Sequence, residues 1–331
     1  MTTPRPLSVR ASLFTGAVAL FALVLALPGC SHRYAGDDSA DGSGVASELL
    51  AARPGSVMDF GGRPIYPLAL GNHWDYRIRT DSQITTDAGP QPPVVTERPW
   101  AADIFRTAQT GDLSYFIQSE GDPRSACAHC DEEFWMRESR LGLFELDNVG
   151  ARPGVTVDGT SSDPEAADLV AYVDRTVADP GQRAAFHRAA TAIAAKLALV
   201  RPIPGGTRPA LGAAPGEITL LSYPLHVGER WIVRESPRFA RIVVGREVVN
   251  VPLGTFPAWK IRGTSELFGP DDRVLFWYSN LGLLRVRVHA TSDATDDTGN
   301  VIGRVVLDSD QSLTDIHLVR GGSALAAGTA E

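Results

Sequence analysis

Lysine is nearly absent from this chain: Lys196 and Lys260 are the only ammonium side chains among 31 basic residues, and the rest are arginine. With 39 acidic residues the net charge is −8, so the chain lacks the basic footprint that nucleic-acid binding requires. No Gly-x-Ser-x-Gly elbow, phosphate loop or His-Glu-x-x-His pair occurs. The seven histidines are scattered. Nothing here gives a reason to propose an enzyme, a metal or a cofactor. The scarcity of lysine beside 32 glycines and 23 prolines reads as a high-GC genome and not as a functional signal.

A membrane-spanning run is also missing. Residues 12–27 are almost wholly apolar, but a spanning helix needs about 20 such residues. The run follows Arg5 and Arg10 and ends in Leu27-Pro-Gly-Cys30. A basic start, a short apolar stretch and small residues before a cut make residues 1–29 a signal peptide. The ending resembles the bacterial lipobox, in which diacylglycerol is joined to the cysteine before cleavage, although Pro28 stands where a small residue is usual. Lipidated Cys30, carrying acyl chains of the palmitate type, anchors firmly, because each buried CH₂ adds about 0.8 kcal/mol. Residue 31 is Ser and not the Asp of inner-membrane retention. That points to the outer membrane, facing the periplasm or the cell surface.

With Cys30 used, Cys127 and Cys130 remain, in a compartment where disulfides persist. Redox activity needs a lowered thiol pKa, yet Asp131, Glu132 and Glu133 follow. Structural zinc wants four ligands, and His129 is the only neighbouring candidate. Haem attachment needs a histidine where Asp131 stands. The favoured reading is a local Cys127–Cys130 disulfide in a loop between two strands.

The mature chain divides by composition and pattern. Residues 30–62 are small and polar and read as a flexible tether, and residues 321–331 as a disordered tail. Between them lies a duplication. Tyr66-Pro-Leu-Ala-Leu-Gly-Asn-His-Trp74 recurs as Tyr223-Pro-Leu-His-Val-Gly-Glu-Arg-Trp231. Phe134-Trp135 with Leu141-Gly-Leu143 recurs as Phe276-Trp277 with Leu281-Gly-Leu283. Trp74, Tyr76 and Ile78 alternate with polar residues, as do Trp259 with Ile261 and Leu284, Val286, Val288 with Ala290. That is the period of half-buried antiparallel strands. Residues 251–254, 269–272 and 296–300 are turn sequences. Asp293, Asp296, Asp297 and Asn300 lack calcium-loop spacing and read as an acidic hairpin turn.

Asp163-Pro164 and Asp179-Pro-Gly-Gln182 open two helices, since Asp caps and Pro suits the first helical position. Leu169, Tyr172, Val173 and Val177 stripe the first. Phe186, Ile193, Leu197 and Val200 stripe the second, and Arg201-Pro202 ends it. The reading is a mainly β fold, antiparallel, as a curved sheet, sandwich or half-barrel. It comprises a first β half (63–150), a helical hairpin insert (151–215) and a second β half (216–320). The aromatics Trp74, Tyr76, Trp135, Trp231, Trp259 and Trp277 belong to the core on this reading; a ligand cavity is the alternative.

Tyr66-Pro-Leu-x-x-Gly-Asn-x-Trp-x-Tyr76, Val251-Pro-Leu-Gly-Thr-Phe256 and Trp277-Tyr-Ser-x-Leu-Gly-Leu-Leu-Arg285 together resemble a recurrent bacterial lipoprotein family of uncharacterised function. Leu281 stands where that family commonly has glycine, and Leu284 where it has valine. The resemblance implies a β-rich, periplasm-facing domain and supplies no catalytic residue. Two roles follow. One is a non-enzymatic envelope module, structural or partner-binding; the other is a carrier of a lipid or other apolar ligand in a β cavity. A filled core with an exposed apolar rim favours the first, and a deep apolar concavity the second.

Cys30→Ser is expected to abolish metabolic fatty-acid labelling and release the protein from the membrane fraction. Undiminished label on the variant contradicts the lipoprotein reading. Non-reducing peptide mapping is expected to find Cys127 and Cys130 in one bridged fragment, and two freely alkylated thiols contradict the disulfide.

Overall fold

The structure is a computed structural model, and it describes residues 65–124, 132–146, 164–200 and 217–319. Cys30, Cys127, Cys130, the signal peptide, the tether and the tail lie outside the described residues. The strands are β1 (His73–Thr86), β2 (Gly89–Pro90), β3 (Val94–Thr110), β4 (Leu113–Gly121), β5 (Glu132–Ser139), β6 (Gly142–Leu146) and β7 (Glu217–Ser222). They continue as β8 (Arg230–Glu235), β9 (Arg238–Val251), β10 (Gly254–Ser265), β11 (Arg273–Ser279), β12 (Gly282–Thr295) and β13 (Val301–His317). Two helices, α1 (Pro164–Thr176) and α2 (Pro180–Val200), lie between β6 and β7.

Among the described residues the strands form one antiparallel sheet, in the order β7-β6-β5-β4-β3-β1-β13-β12-β11-β10-β9-β8, with β2 paired to β1 alone. The two ends of that order meet. β7 lies beside β8, and the Trp231 indole donates across the gap to the Thr219 carbonyl at 3.2 Å. The sheet is therefore a nearly closed barrel, mainly β, built from two related halves with a helical hairpin inserted.

The duplication is visible in the backbone. Gly71 and Gly228, at matching places in the two copies, have φ of +86° and +88°, a region that disfavours side-chain-bearing residues. Around each glycine run the same three hydrogen bonds. Gly71 N donates to Ile104 O, Ile104 N to Asn72 O, and Asn72 N to Ala69 O. In the second copy Gly228 N donates to Val243 O, Val243 N to Glu229 O, and Glu229 N to His226 O. The third residue after the glycine is tryptophan in each copy, Trp74 and Trp231, and it enters the sheet facing inward.

These knots pin the two leads to the closing strands. Asn72 Oδ1 accepts from Val319 N, just past β13, at 2.8 Å. Glu229 Oε1, in the matching position, accepts from the hydroxyl of Ser222, at the end of β7, at 2.9 Å. So β7 corresponds to β13. The sequence reading placed residues 216–222 with the second half, whereas β7 pairs with β6 and completes a first six-stranded meander. β13 completes the second and pairs with β1 along its whole length.

The Leu-Gly-Leu turns of the two halves serve the opposite copy. Leu141 O accepts from Tyr223 N at 2.9 Å, and Leu281 O accepts from the Trp74 indole at 2.7 Å. At Gly282, between Leu281 and Leu283, φ is +99°, a conformation that disfavours a side chain, and a Cβ would stand 3.2 Å from Trp74 Nε1 and press on that ring. One contiguous apolar core spans both halves and the helices.

The expected periodicities hold. Trp74, Tyr76, Ile78, Thr80, Ser82 and Ile84 are the buried face of β1. Leu284, Val286, Val288 and Ala290 are buried on β12. Asp179 caps α2 by accepting from Gln182 N at 2.8 Å. Leu169, Tyr172, Val173, Phe186, Ile193 and Leu197 are buried, so the helical hairpin turns its stripes onto the sheet. One buried ion pair locks it there. Lys196 Nζ donates to Asp272 Oδ2 at 2.7 Å and to Thr291 O at 2.6 Å, while Asp272 also holds Gly269 N and Thr291 N.

Trp74→Ala and Trp231→Ala are each expected to cost about 3–5 kcal/mol. Either change should lower a single cooperative thermal transition. Two transitions, of which each variant shifts only one, would show that the halves unfold independently.

Candidate functional site

Inside the barrel lies a cavity of about 110 Å³, lined from both repeats and from α1 and α2. Its wall is mixed. Tyr66, Tyr76, Trp100, Phe134, Phe276 and Tyr278 give it an aromatic surface, and Glu120, Glu145, Glu165, Gln118 and Arg241 give it polar groups. Leu197 and Val200 of α2 close one side.

On one wall the polar groups form a chain. Tyr66 OH donates to Gln118 Oε1 at 2.9 Å, and Gln118 Nε2 donates to Glu120 Oε1 at 2.7 Å. The Trp100 indole reaches Glu120 Oε2 at 3.4 Å. Burial first, and the Glu120 charge next, push the Tyr66 hydroxyl well above its ordinary pKa, so it stays protonated and remains a donor. Tyr76 is pushed up by burial in the same way, and its hydroxyl donates to Leu283 O at 3.1 Å.

The facing wall holds Arg241, only 3% exposed. Its Nη1 donates to Leu220 O at 2.7 Å, and its guanidinium lies 4.2 Å over the Phe276 ring. Arg241 Nε is buried with no hydrogen-bond partner among the described residues. A third charged group, Glu165 of α1, is met by Ser309 at 3.1 Å and by Arg98 at 3.2 Å. A cavity needs roughly 10–15 Å³ per water and two to four polar partners for each. This one suits a small cluster of ordered waters that satisfies Arg241 and the carboxylates.

A second polar arrangement sits where the chain enters the barrel. Glu138, at the end of β5, accepts from Tyr223 OH at 2.6 Å and from Tyr66 N at 3.4 Å. These two tyrosines open the two copies of the repeated lead, so one carboxylate joins both. Burial pushes Glu138 up from 4.5 to about 7, partly offset by the Tyr223 hydrogen bond. Nearby, His73 lies between Asp103 at 2.6 Å and Asp75 at 3.0 Å. The hydrogen bond to Asp103 chiefly raises its pKa to about 9, so the ring is cationic at neutral pH. On the outer face Arg137 grips Glu217 through two bonds of 2.7 and 2.5 Å, and Tyr115 donates to the same carboxylate at 2.8 Å.

Of the aromatics named from sequence, Tyr76 lines the cavity. Trp74 and Trp231 are buried in the core beside it. Trp277 donates to Glu247 at 2.7 Å with Lys260 over its ring, on the other face of the sheet from Phe276 and Tyr278. Asp296 forms a hairpin turn, accepting from Thr298 N and Asn300 N at 2.9 Å each, as the acidic-turn reading expects. Arg241, Glu138 and Glu165 were not legible as site residues. The one clue for Arg241 is its phase, between buried Phe239 and Val243 on an alternating strand.

No family model matches this chain, and no curated protein does. Among solved structures, the chain is similar to a Bacteroides fragilis protein that bears the description of an exported protein with a YmcC-like fold. The likeness has 12% identity and covers 76% of this chain and 98% of that one, at a TM-score of 0.28. A score that low says nothing about the fold or role of this chain.

Glu138→Gln tests the link between the leads. A carboxyl whose folded pKa lies above its unfolded one gains a proton on folding between the two values. Stability therefore falls as pH rises from about 4.5 to about 7, by up to about 3 kcal/mol. The glutamine variant keeps an acceptor for both tyrosines and is expected to lose that slope and to be more stable than the parent at pH 8. An unchanged slope across this window contradicts the assignment.

Proposed function

We propose that this chain is a bacterial envelope lipoprotein, lipidated at Cys30, whose barrel is a non-enzymatic module that works through its outer surface. The observation that carries the reading is the filled interior. The chain's own helical hairpin packs its buried side against β12, β13 and β1, and the cavity that it helps to close among the described residues is about 110 Å³. Pockets for drug-sized molecules run to about 300–1,000 Å³, and an acyl chain would need at least that room. The hairpin is no loose lid, because Leu169, Val173, Phe186 and Ile193 are fully buried and Lys196 is paired inside. The lipobox-like ending, the tether composition and the family resemblance support the envelope address. The interior groups supply hydrogen bonds to one another, as Tyr66, Gln118 and Glu120 do.

Native mass spectrometry of protein purified without detergent tests the choice between module and carrier. The expected result is a mass equal to the acylated chain, with no second lipid. A stoichiometric adduct removable by organic solvent would favour the carrier.

A further inference from the structure

The strands give the barrel two distinct ends. β1 and β8 both start at the end where the repeated leads enter, and the β3–β4, β5–β6, β9–β10 and β11–β12 turns lie at that same end. The β1–β3, β8–β9, β10–β11 and β12–β13 turns lie at the other. Exposed large apolar side chains are concentrated at the entry end. Leu70 and Val227, in matching positions of the two leads, are 49% and 68% exposed. Leu141 in the β5–β6 turn, Val319 just past β13, and Val244 and Val248 on the projecting part of β9 are also exposed. Val319 lies against Gly71, the residue that follows Leu70, since a Cβ there would stand 3.0 Å from its side chain. The opposite end has three of this kind among the described residues, Val95 at the start of β3, Leu267 and Val301, and none of them is repeated between the two halves.

Duplication of the position argues against accident. A lead needs its Gly and Trp for the knot, but nothing in the knot uses the side chain before the glycine. Both copies nonetheless carry an aliphatic residue there, turned to solvent. Exposed Arg140 and Arg230 flank Leu141 and Val227. Apolar residues interleaved with arginine are the chemistry of a surface that meets anionic lipid headgroups, where the basic side chains are drawn to the headgroups and the aliphatic tips enter the acyl boundary.

We infer that the entry end of the barrel seats on the bilayer that holds the lipid anchor, through Leu70, Val227 and the apolar residues around them. The inference rests on the proposed lipidation of Cys30. The described chain starts at Ile65, at this end, 35 residues after that cysteine. The chain that comes from the anchor thus joins the barrel at its entry end and not at the opposite one.

The lipidated full chain is reconstituted into phosphatidylethanolamine–phosphatidylglycerol vesicles containing a lipid with a photoactivatable diazirine in its acyl chain. Flotation reports anchoring, and peptide mapping reports which residues touch acyl chains. The expected labels fall in residues 67–71 and 224–228 and not in residues 296–301. The Leu70→Asp, Val227→Asp double variant should float as before, unfold at the same temperature and lose about tenfold of that label. Protein that floats with no label at the entry end, or with equal label at both ends, overturns the seating while leaving the anchor intact. Protein that neither floats nor carries fatty acid overturns the lipoprotein reading, and the seating with it.

Discussion

A six-stranded antiparallel sheet has two edges, each a row of unpaired N–H and C=O groups, and this structure depends on how two such sheets hide theirs in each other. Exposed edges invite pairing with other chains, and closure removes them. Here β13 of the second meander runs along β1 of the first, and β7 of the first lies beside β8 of the second. The three-bond knots at Gly71 and Gly228 hold each opening strand where its partner arrives. The Trp74 and Trp231 indoles then each satisfy a carbonyl outside their own strand, at Leu281 and Thr219. One local motif, used twice, closes the barrel at two places.

Closure creates an interior that twelve strands' worth of side chains do not fill. The helical hairpin, inserted between β6 and β7 of one repeat only, lays its buried side over that space and leaves its other side to solvent. At the matching place in the other repeat, between β12 and β13, there is a short turn organised by Asp296. The insertion therefore breaks the pseudo-symmetry in the one way that gives a single plug. Charge is brought inside to fasten it, at Lys196–Asp272 and at Glu165 with Arg98 and Ser309. An ion pair buried in this way contributes less to net stability than to fixing one arrangement, because desolvation offsets much of its attraction.

Much of this was legible in the sequence because it rests on local rules. The leads were visible because proline, a left-handed glycine and a tryptophan are each hard to replace. The strands of β1 and β12 showed period two because one face meets water. The helices showed their Asp-Pro starts. β7 was misplaced for a physical reason: Glu217-Ile-Thr-Leu-Leu is buried on both faces, so it carries no alternation to assign it. The buried charges were illegible as well. Glu138 and Arg241 look like ordinary surface residues until strands far apart in sequence bring Tyr223 and Leu220 to them. The pairing of β1 with β13 spans nearly the whole chain, and no local pattern specifies it.

Native-state hydrogen exchange on the full chain, read at the amides of Ile104 and Val243, tests the reciprocal closure most directly. Each amide donates within one knot and lies in the opposite half from the other. If the two meanders complete one another, both exchange only through global unfolding, with the same free energy and the same denaturant dependence. If Ile104 exchanges through an opening that leaves Val243 protected, or the reverse, then one half stands without the other, and the barrel is not a single cooperative unit.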